Sequence, residues 1–218
     1  MINWSKIDTV LLDMDGTLLD LRFDNYFWQT VVPEYFAKKQ GLSFEQAVEQ
    51  LRPIFKAQEG LLNWYCLDYW SKELEIDIVK LKRGMREQIK ELPHTREFLQ
   101  AVRLSGKRCV LVTNAHAESL LLKMQKTGLV GFFDAIVSSH DLGYPKEHQD
   151  FWRRLIKLEA FDKTTTLLVD DSLSVLTAAA EFGIQHLIAV DQPDSTQPPR
   201  MIQHFAAVKD LGQIKPPS

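Results

Sequence analysis

Val10-Leu11-Leu12-Asp13-Met14-Asp15-Gly16-Thr17 is the stretch that decides the fold of this chain. Three apolar residues read as a short buried strand, and two carboxylates follow one residue apart where that strand should end. Side chains alternate along a strand, so Asp13 and Asp15 start out on the same side, with Met14 opposite. Gly16-Thr17 then turns the backbone tightly enough for main-chain groups to approach a small ligand. Two acids so placed repel by roughly 4 kcal/mol at about 4 Å and an effective dielectric near ~20. They stay ionised only where a cation, a cationic side chain or a shared proton offsets that repulsion. An Asp-x-Asp-Gly turn can also simply leave a strand with both carboxylates solvated. A calcium loop of the EF-hand type fails, because its glycine position falls on Leu18 and its last ligand position on Asp24.

Partners further along the chain decide between these readings. Arg108-Cys109-Val110-Leu111-Val112 reads as a second buried strand and runs into Thr113-Asn114-Ala115. A hydroxyl and an amide at a strand end suit a phosphate oxygen, or else cap the helix that opens near His116. Gly143-Tyr144-Pro145-Lys146 sets one lysine ahead of the helical stretch from Glu147 to Leu158. Thr166-Leu167-Leu168-Val169 is a third buried strand and ends in Asp170-Asp171-Ser172, a second acid pair at a strand terminus. Taken singly these are weak signals, since most lysines are solvated and Ser, Asp and Asn are ordinary cap residues. Their order, each at the carboxyl end of a strand, is what carries weight.

After residue 93 strand and helix signals alternate. Helix His94 to Leu104 is followed by strand 108–112, a helix from His116 to Lys126, strand Phe133 to Ser138, helix 147–160, strand 165–169, helix 172–182 and strand His186 to Val190. Short apolar strands alternating with helices predict a parallel sheet covered on both faces, an α/β Rossmann-like core. Ligands bind such sheets outside the carboxyl ends of the strands, so all the motifs should meet on one rim. From Asp191 onward the sequence is rich in Pro and polar residues and is read as little more than a tail wrapped on the core. Between Asp20 and Pro93 the patterning is helical without convincing strands. Ser43-Phe44-Glu45-Gln46 is a capping-box pattern, and Pro33 and Pro53 predict kinks or breaks. The expected organisation is therefore a core of residues 1–20 and 93–218, with an all-helical insertion of about four helices over 21–92, after the first strand.

In order and spacing, Asp13-x-Asp15-Gly16-Thr17, Thr113-Asn114, Lys146 and Asp170-Asp171 resemble the four motifs of the haloacid dehalogenase-like hydrolase superfamily. The stretches Phe23-Asp24-Asn25-Tyr26-Phe27-Trp28, Leu62-Asn63-Trp64-Tyr65-Cys66-Leu67-Asp68-Tyr69-Trp70 and Gly143-Tyr144-Pro145-Lys146-Glu147 resemble more closely the bacterial GMP/IMP nucleotidases of that superfamily. The resemblance implies a magnesium-dependent phosphomonoesterase that works through an aspartyl-phosphate on Asp13, with Asp15 as general acid and then base. It implies that Mg2+ is held by Asp13, Asp170, Asp171 and the Asp15 carbonyl, an all-oxygen set suited to this ion. Thr113, the Asn114 backbone and Lys146 are the implied phosphate-binding groups, and the insert is implied to be a helical cap. The implied substrates are GMP and IMP; a sugar phosphate or another small organic phosphate, a mutase, and a phosphoryl-binding regulator without turnover stand as alternatives.

Base recognition is expected from the insert. Trp28, Trp64, Tyr65 and Tyr69 are candidates to stack on a purine, and Arg22, Asn25 and Asp68 to meet its polar edge, unless these aromatics simply form the core of the insert. His116, His140 and His148 lack metal-site spacing and are read as structural or solvated, and Arg153 and Arg154 as surface charges. With 218 residues, a net charge of -3 and 45% hydrophobic content, the chain can bury a full core and has no electrostatic footprint for a nucleic acid polymer. No apolar run approaches the ~18 residues needed to cross a bilayer. Two cysteines, Cys109 in a buried strand and Cys66 in a predicted helix, fit a reducing cytoplasm better than a disulfide framework.

Overall fold

Strand β1 (Thr9–Leu12) runs through the middle of an all-parallel sheet and is buried along its whole length in the computed structural model, which describes residues 2–217. Its neighbours are β2 (Arg108–Thr113) on one side and β4 (Thr166–Asp170) on the other. Beyond them lie β3 (Ala135–Ser138), which runs straight into the short helix α8 (Ser139–Leu142), then β5 (His186–Val190) and β6 (Ala206–Val208), giving the order β3-β2-β1-β4-β5-β6. Burial on both faces explains why β1, β2 and β4 read as unbroken apolar runs rather than alternating ones. Val10 and Leu12 pack to one side with Phe98, Leu99 and Val102 of helix α6 (Thr95–Leu104). Leu11 packs to the other side with Phe151, Trp152 and Leu155 of helix α9 (Gln149–Leu158) and Leu176 of α10 (Leu173–Phe182). Each such side chain stabilises the sheet by about 1.5–3 kcal/mol.

The chain builds outward from β1 to β3, then crosses back to place β4 against β1. The order therefore switches between β1 and β4, and the crevice outside their carboxyl ends is where a ligand site belongs in this architecture. Asp13 follows β1 and Asp170 ends β4, so topology alone sets these two acids at the crevice.

Between β1 and β2 the chain forms helices α1 (Arg22–Tyr26), α2 (Val32–Gln40), α3 (Phe44–Lys56), α4 (Leu67–Leu74) and α5 (Ile78–Gly84). They enclose their own core of Phe27, Val32, Leu51, Leu67, Trp70, Leu74 and Ile78. Ser43 caps α3 with the full reciprocal box to Gln46. Of the kinks or breaks expected at the prolines, no break occurs. Pro33 has no N–H to give, and the turn before it, Phe27–Val31, widens to a π-helix that joins α1 to α2, with Val32 N–H reaching the Phe27 carbonyl. Pro53 sits within α3, one turn before its end. Cys66, expected within a helix, instead precedes α4 as its cap.

The C-terminal stretch is more than the expected tail. Ala206-Ala207-Val208 adds a sixth parallel strand to β5. Three small residues behind a proline-rich segment leave no periodicity to detect, so pairing rather than pattern creates this strand. The loop after β5 also grips the root of the insert. Pro193 O accepts the Leu21 N–H at 2.9 Å, the Asp20 carboxylate accepts Ser195 N–H and Oγ at 3.1 and 2.5 Å, and Asn25 Nδ2 donates to Asp194 Oδ2 at 2.8 Å. The two connections to the insert run side by side, joined by Asp20 N–H to Lys90 O and Leu92 N–H to Leu18 O, each 2.9 Å.

Candidate active site

A cleft of about 420 Å³ lies between the sheet rim and the helical insert. Asp13, Asp15, Thr113, Asn114, Lys146, Asp170 and Asp171 all line it, so residues spread over most of the sequence converge there. Lys146 is the hub of its floor. The side chain is only 2% exposed, and Nζ donates to Asp13 Oδ1 at 2.5 Å, to Asp170 Oδ2 at 2.7 Å and to Val112 O at 3.1 Å. An ammonium has three donors, and all three are engaged. Lys146 therefore cannot grasp a phosphate oxygen, as the sequence reading expected, without giving up one of these bonds. Its position suits holding the Asp13 carboxylate by charge.

Asp13 is left with one oxygen committed and one free: Oδ2 is buried and has no hydrogen-bond partner among the described residues. Oxygen atoms of Asp13, Asp170 and Asp171 lie within 4.8 Å of one another. Three carboxylates against one ammonium leave a net charge of two negatives, which calls for a divalent cation. Burial pushes the Asp13 carboxyl up to about 6 despite the Lys146 ammonium. Burial likewise lifts Asp170, and burial with the charges of Asp13 and Asp170 holds Asp171 well above the usual carboxylate range. Arg200 is the guanidinium near Asp171, at 3.9 Å from Oδ2, and it donates at 2.7 Å to the Asp171 carbonyl instead. An orphaned buried oxygen and a frustrated acid cluster fit a hard cation with oxygen ligands. Gly16, at φ +89°, makes room for this arrangement: a Cβ there would sit 2.7 Å from Asp171 Cγ and 2.9 Å from Pro193 Cβ.

These directions give the pH dependence its sign. Carboxyls raised above their unfolded value of 3.8 contribute stability that is fully present below that value and is lost as pH rises through about 6. His140, lowered by burial and by His116, opposes the trend with a single group. The metal-free protein is therefore expected to melt at a higher temperature near pH ~5 than near pH ~7.5, and magnesium to raise the melting point at the higher pH. Thermal denaturation with chelator and with Mg2+ at both pH values checks this; a melting point that falls on acidification without metal would contradict it.

Asp15 points to the other side of the cleft, where Lys123 Nζ of helix α7 (Ala117–Thr127) donates to its Oδ1 at 2.6 Å. Burial raises the Asp15 carboxyl to about 6 against the pull of Lys123. Thr113 Oγ1 accepts the Ala115 N–H at 3.0 Å, which leaves its proton for a ligand. The Asn114 side chain is used within the protein: Oδ1 accepts the Lys146 backbone N–H at 2.9 Å and Nδ2 donates to Glu147 Oε2 at 3.0 Å. Glu147 Oε1 in turn accepts the Tyr65 hydroxyl at 2.7 Å, linking the Lys146 loop to the insert. Burial and Glu147 together raise the Tyr65 phenol above its ordinary value, so it stays a donor.

These contacts, with a strand-end acid pair on a parallel sheet and a helical insert after β1, agree with comparison against known proteins. Residues 10–189 match the family model described as haloacid dehalogenase-like hydrolase. This chain belongs to that family. The GMP/IMP nucleotidase YrfG of Escherichia coli (strain K12) is 42% identical over 215 residues, covering 99% of this chain and 97% of the relative. The HAD phosphatase from Thermococcus onnurineus shares the fold at a TM-score of 0.80 and 20% identity, over 95% of this chain and 96% of the other. The HAD-hydrolase YfnB from Bacillus subtilis, a structure bound to magnesium, shares it at 0.63 and 16%, over 95% and 96%.

Of the residues expected to meet a base, Trp28, Trp64, Tyr65 and Asn25 line the cleft of this haloacid dehalogenase-like hydrolase, together with Phe55, Trp70 and Gln29. Tyr69, Arg22 and Asp68 do not. Tyr69 packs on Trp70 with ring centroids 5.0 Å apart, Arg22 is exposed, and Asp68 faces His116 at 3.6 Å. Trp28, Phe55 and Trp70 pack edge to face at 5.0–6.0 Å, so the cleft roof and the insert's core are the same aromatic group. His116, next to the Thr113-Asn114 motif and read from sequence as structural or solvated, lines the cleft. Arg153 and Arg154 are exposed, in line with the sequence reading, and Arg154 also donates to Leu142 O at 2.8 Å and covers the Tyr144 ring. Two groups that the sequence reading gave no role, Lys123 and Lys82, are buried against Asp15 and Asp24. The signal available was their place on helices whose other inward residues are apolar.

Proposed function

We propose that this protein is a magnesium-dependent phosphomonoesterase acting on purine nucleoside 5'-monophosphates, GMP and IMP. The observation that carries the chemistry is Asp13: Lys146 engages one carboxylate oxygen, the other is buried and free, and Asp15 stands across the same cleft. The nucleotide class rests on the 42% identity to the GMP/IMP nucleotidase and on an aromatic roof able to cover a base. Cys66 and Cys109 are both free, which suits a reducing cytoplasm as the place of action.

Asp13 Oδ2 attacks phosphorus, the bond from phosphorus to the ester oxygen breaks, and Asp15 gives its proton to the departing oxygen. Asp15, now a carboxylate, takes a proton from water as that water attacks the aspartyl-phosphate. The bond to Asp13 breaks and releases inorganic phosphate. An acid whose pKa lies near ~6 is suited to give and retake a proton near neutral pH. Lys146 keeps Asp13 oriented by binding Oδ1, and the Thr113 hydroxyl and Asn114 backbone meet the phosphate oxygens. Asp13, Asp170, Asp171 and the Asp15 carbonyl are the groups that would hold Mg2+. When bound, the ion supplies positive charge against the phosphate oxygens.

The test is phosphate release from GMP and IMP beside AMP, UMP and hexose phosphates, with and without Mg2+. The expected result is turnover that needs the metal, with kcat/KM for GMP and IMP above that for every other ester. A hexose phosphate that outruns GMP would replace the nucleotide assignment with a sugar-phosphate one; no release from any ester would overturn the enzyme reading.

A further inference from the structure

Four charges, two buried lysines and two half-buried aspartates, alternate in a line from the cleft into the helical insert. Lys123 Nζ donates to Asp15 Oδ1 at 2.6 Å and to Asp24 Oδ2 at 2.7 Å, and Asp24 Oδ1 accepts Lys82 Nζ at 2.6 Å. The lysine side chains are 1% and 4% exposed. Asp15 and Lys123 belong to core segments, whereas Asp24 and Lys82 lie on α1 and α5 of the insert. Burying ion pairs is at best a neutral way to gain stability, because desolvation offsets the attraction. Apolar residues would fill this space at no such cost, with Phe23 already packed under both ammonium groups. The line has a directional consequence instead. Lys123 ties down Oδ1 of Asp15, while Oδ2 has no hydrogen bond to any described residue and is the oxygen left for a leaving group.

We propose that Lys123 is a positioning residue for the general acid Asp15, and that the insert holds Lys123 in place through Asp24 and Lys82. This rests on the phosphatase reading above. Proton donation at Oδ2 then depends on the insert being seated on the core: with Asp24 withdrawn, the ammonium is free to move and Asp15 loses its fixed orientation. The role differs from that of Lys146, which serves the nucleophile from the opposite side of the cleft.

The leaving group supplies the test, because kcat/KM covers only the steps up to its departure. A nucleoside oxygen needs a proton to leave; p-nitrophenolate does not. Lys123→Met should lower kcat/KM for GMP by about 10²–10³-fold and for p-nitrophenyl phosphate by less than about tenfold. Lys123→Arg should recover part of the GMP loss, and Asp24→Asn should shift the ratio of the two esters the same way by about tenfold. Equal losses for both esters in Lys123→Met would overturn the proposal. Should that variant lack a cooperative melt, an unchanged ratio in Asp24→Asn would overturn it equally. Wild type cleaving alkyl esters other than GMP changes only the ester used; wild type cleaving none removes the phosphatase reading and this role with it.

Discussion

Asp13→Asn should give a folded protein whose phosphate release is lower by on the order of 10⁴-fold or more. The amide keeps the size of the carboxylate, yet its oxygen carries too little charge to attack phosphorus. The fold should not suffer, because this carboxylate is a burden on the protein before it is a tool. It is buried, pushed up to about 6, and crowded by Asp170 and Asp171. Lys146 keeps Asp170 at 2.7 Å and Val112 O at 3.1 Å when Asp13 is neutral. The melting point of the metal-free variant is therefore expected to match or exceed that of wild type at neutral pH. Turnover and thermal melting on the same preparation check both halves. Retained turnover would displace Asp13 as nucleophile, and a melting point lower by tens of degrees would show that the carboxylate holds the fold together.

The fold was legible where burial imposes a pattern. A parallel strand covered on both faces must be apolar at every position, so Val10-Leu11-Leu12 and Leu167-Leu168-Val169 announce themselves, and the acids that end them mark the crevice. The sixth strand escaped because Ala206-Ala207-Val208 sits at the edge, where only backbone pairing to β5 defines it. Pro33 misled for a related reason. A missing N–H predicts a break only if the helix keeps its ordinary spacing, and this helix absorbs the defect by widening over Phe27–Val31.

The site was legible at its motif residues and opaque at their supports. Asp13, Asp15, Lys146 and Asp170 stand at strand ends or in loops, where a charged residue is conspicuous. Lys123 and Lys82 lie within helices, where a lysine reads as a solvated face, and only the tertiary approach of Asp15 and Asp24 makes them buried. Asn114 shows the opposite trap. Its place after Thr113 suggests a ligand contact, but its side chain is spent on the Lys146 backbone and on Glu147, which reaches Tyr65 of the insert. A contact between residues 65 and 147 has no trace in local pattern. It exists because the insert folds back over the rim, and this is also why Trp64 and Trp28 overlook the cleft while Tyr69, in the first turn of α4, does not.

Lys146→Met should damage both catalysis and stability, and the two losses should respond differently to magnesium. Methionine fills much of the same volume but removes the cation shared by Asp13 and Asp170. Truncating one member of a buried, hydrogen-bonded charge group costs about 3–5 kcal/mol, because the partners stay buried without compensation. For a chain of this size that corresponds to a melting point lower by roughly 10 °C. The lysine is raised above its ordinary pKa even though burial opposes it, so its charge is present throughout the working pH range. Without it, Asp13, Asp170 and Asp171 carry three negative charges instead of a net two. A divalent cation then has more charge to neutralise, so added Mg2+ should raise the melting point of the variant by more than it raises that of wild type. Activity should not follow. Asp13 Oδ1 has lost the donor that oriented it, and kcat should remain lower by on the order of 10²-fold or more at saturating Mg2+. Melting curves and kcat over a magnesium titration separate the two effects. Equal magnesium shifts in variant and wild type would mean that Lys146 does not set the charge of the metal cluster; recovery of kcat with magnesium would mean that it supplies charge alone and leaves orientation to other groups.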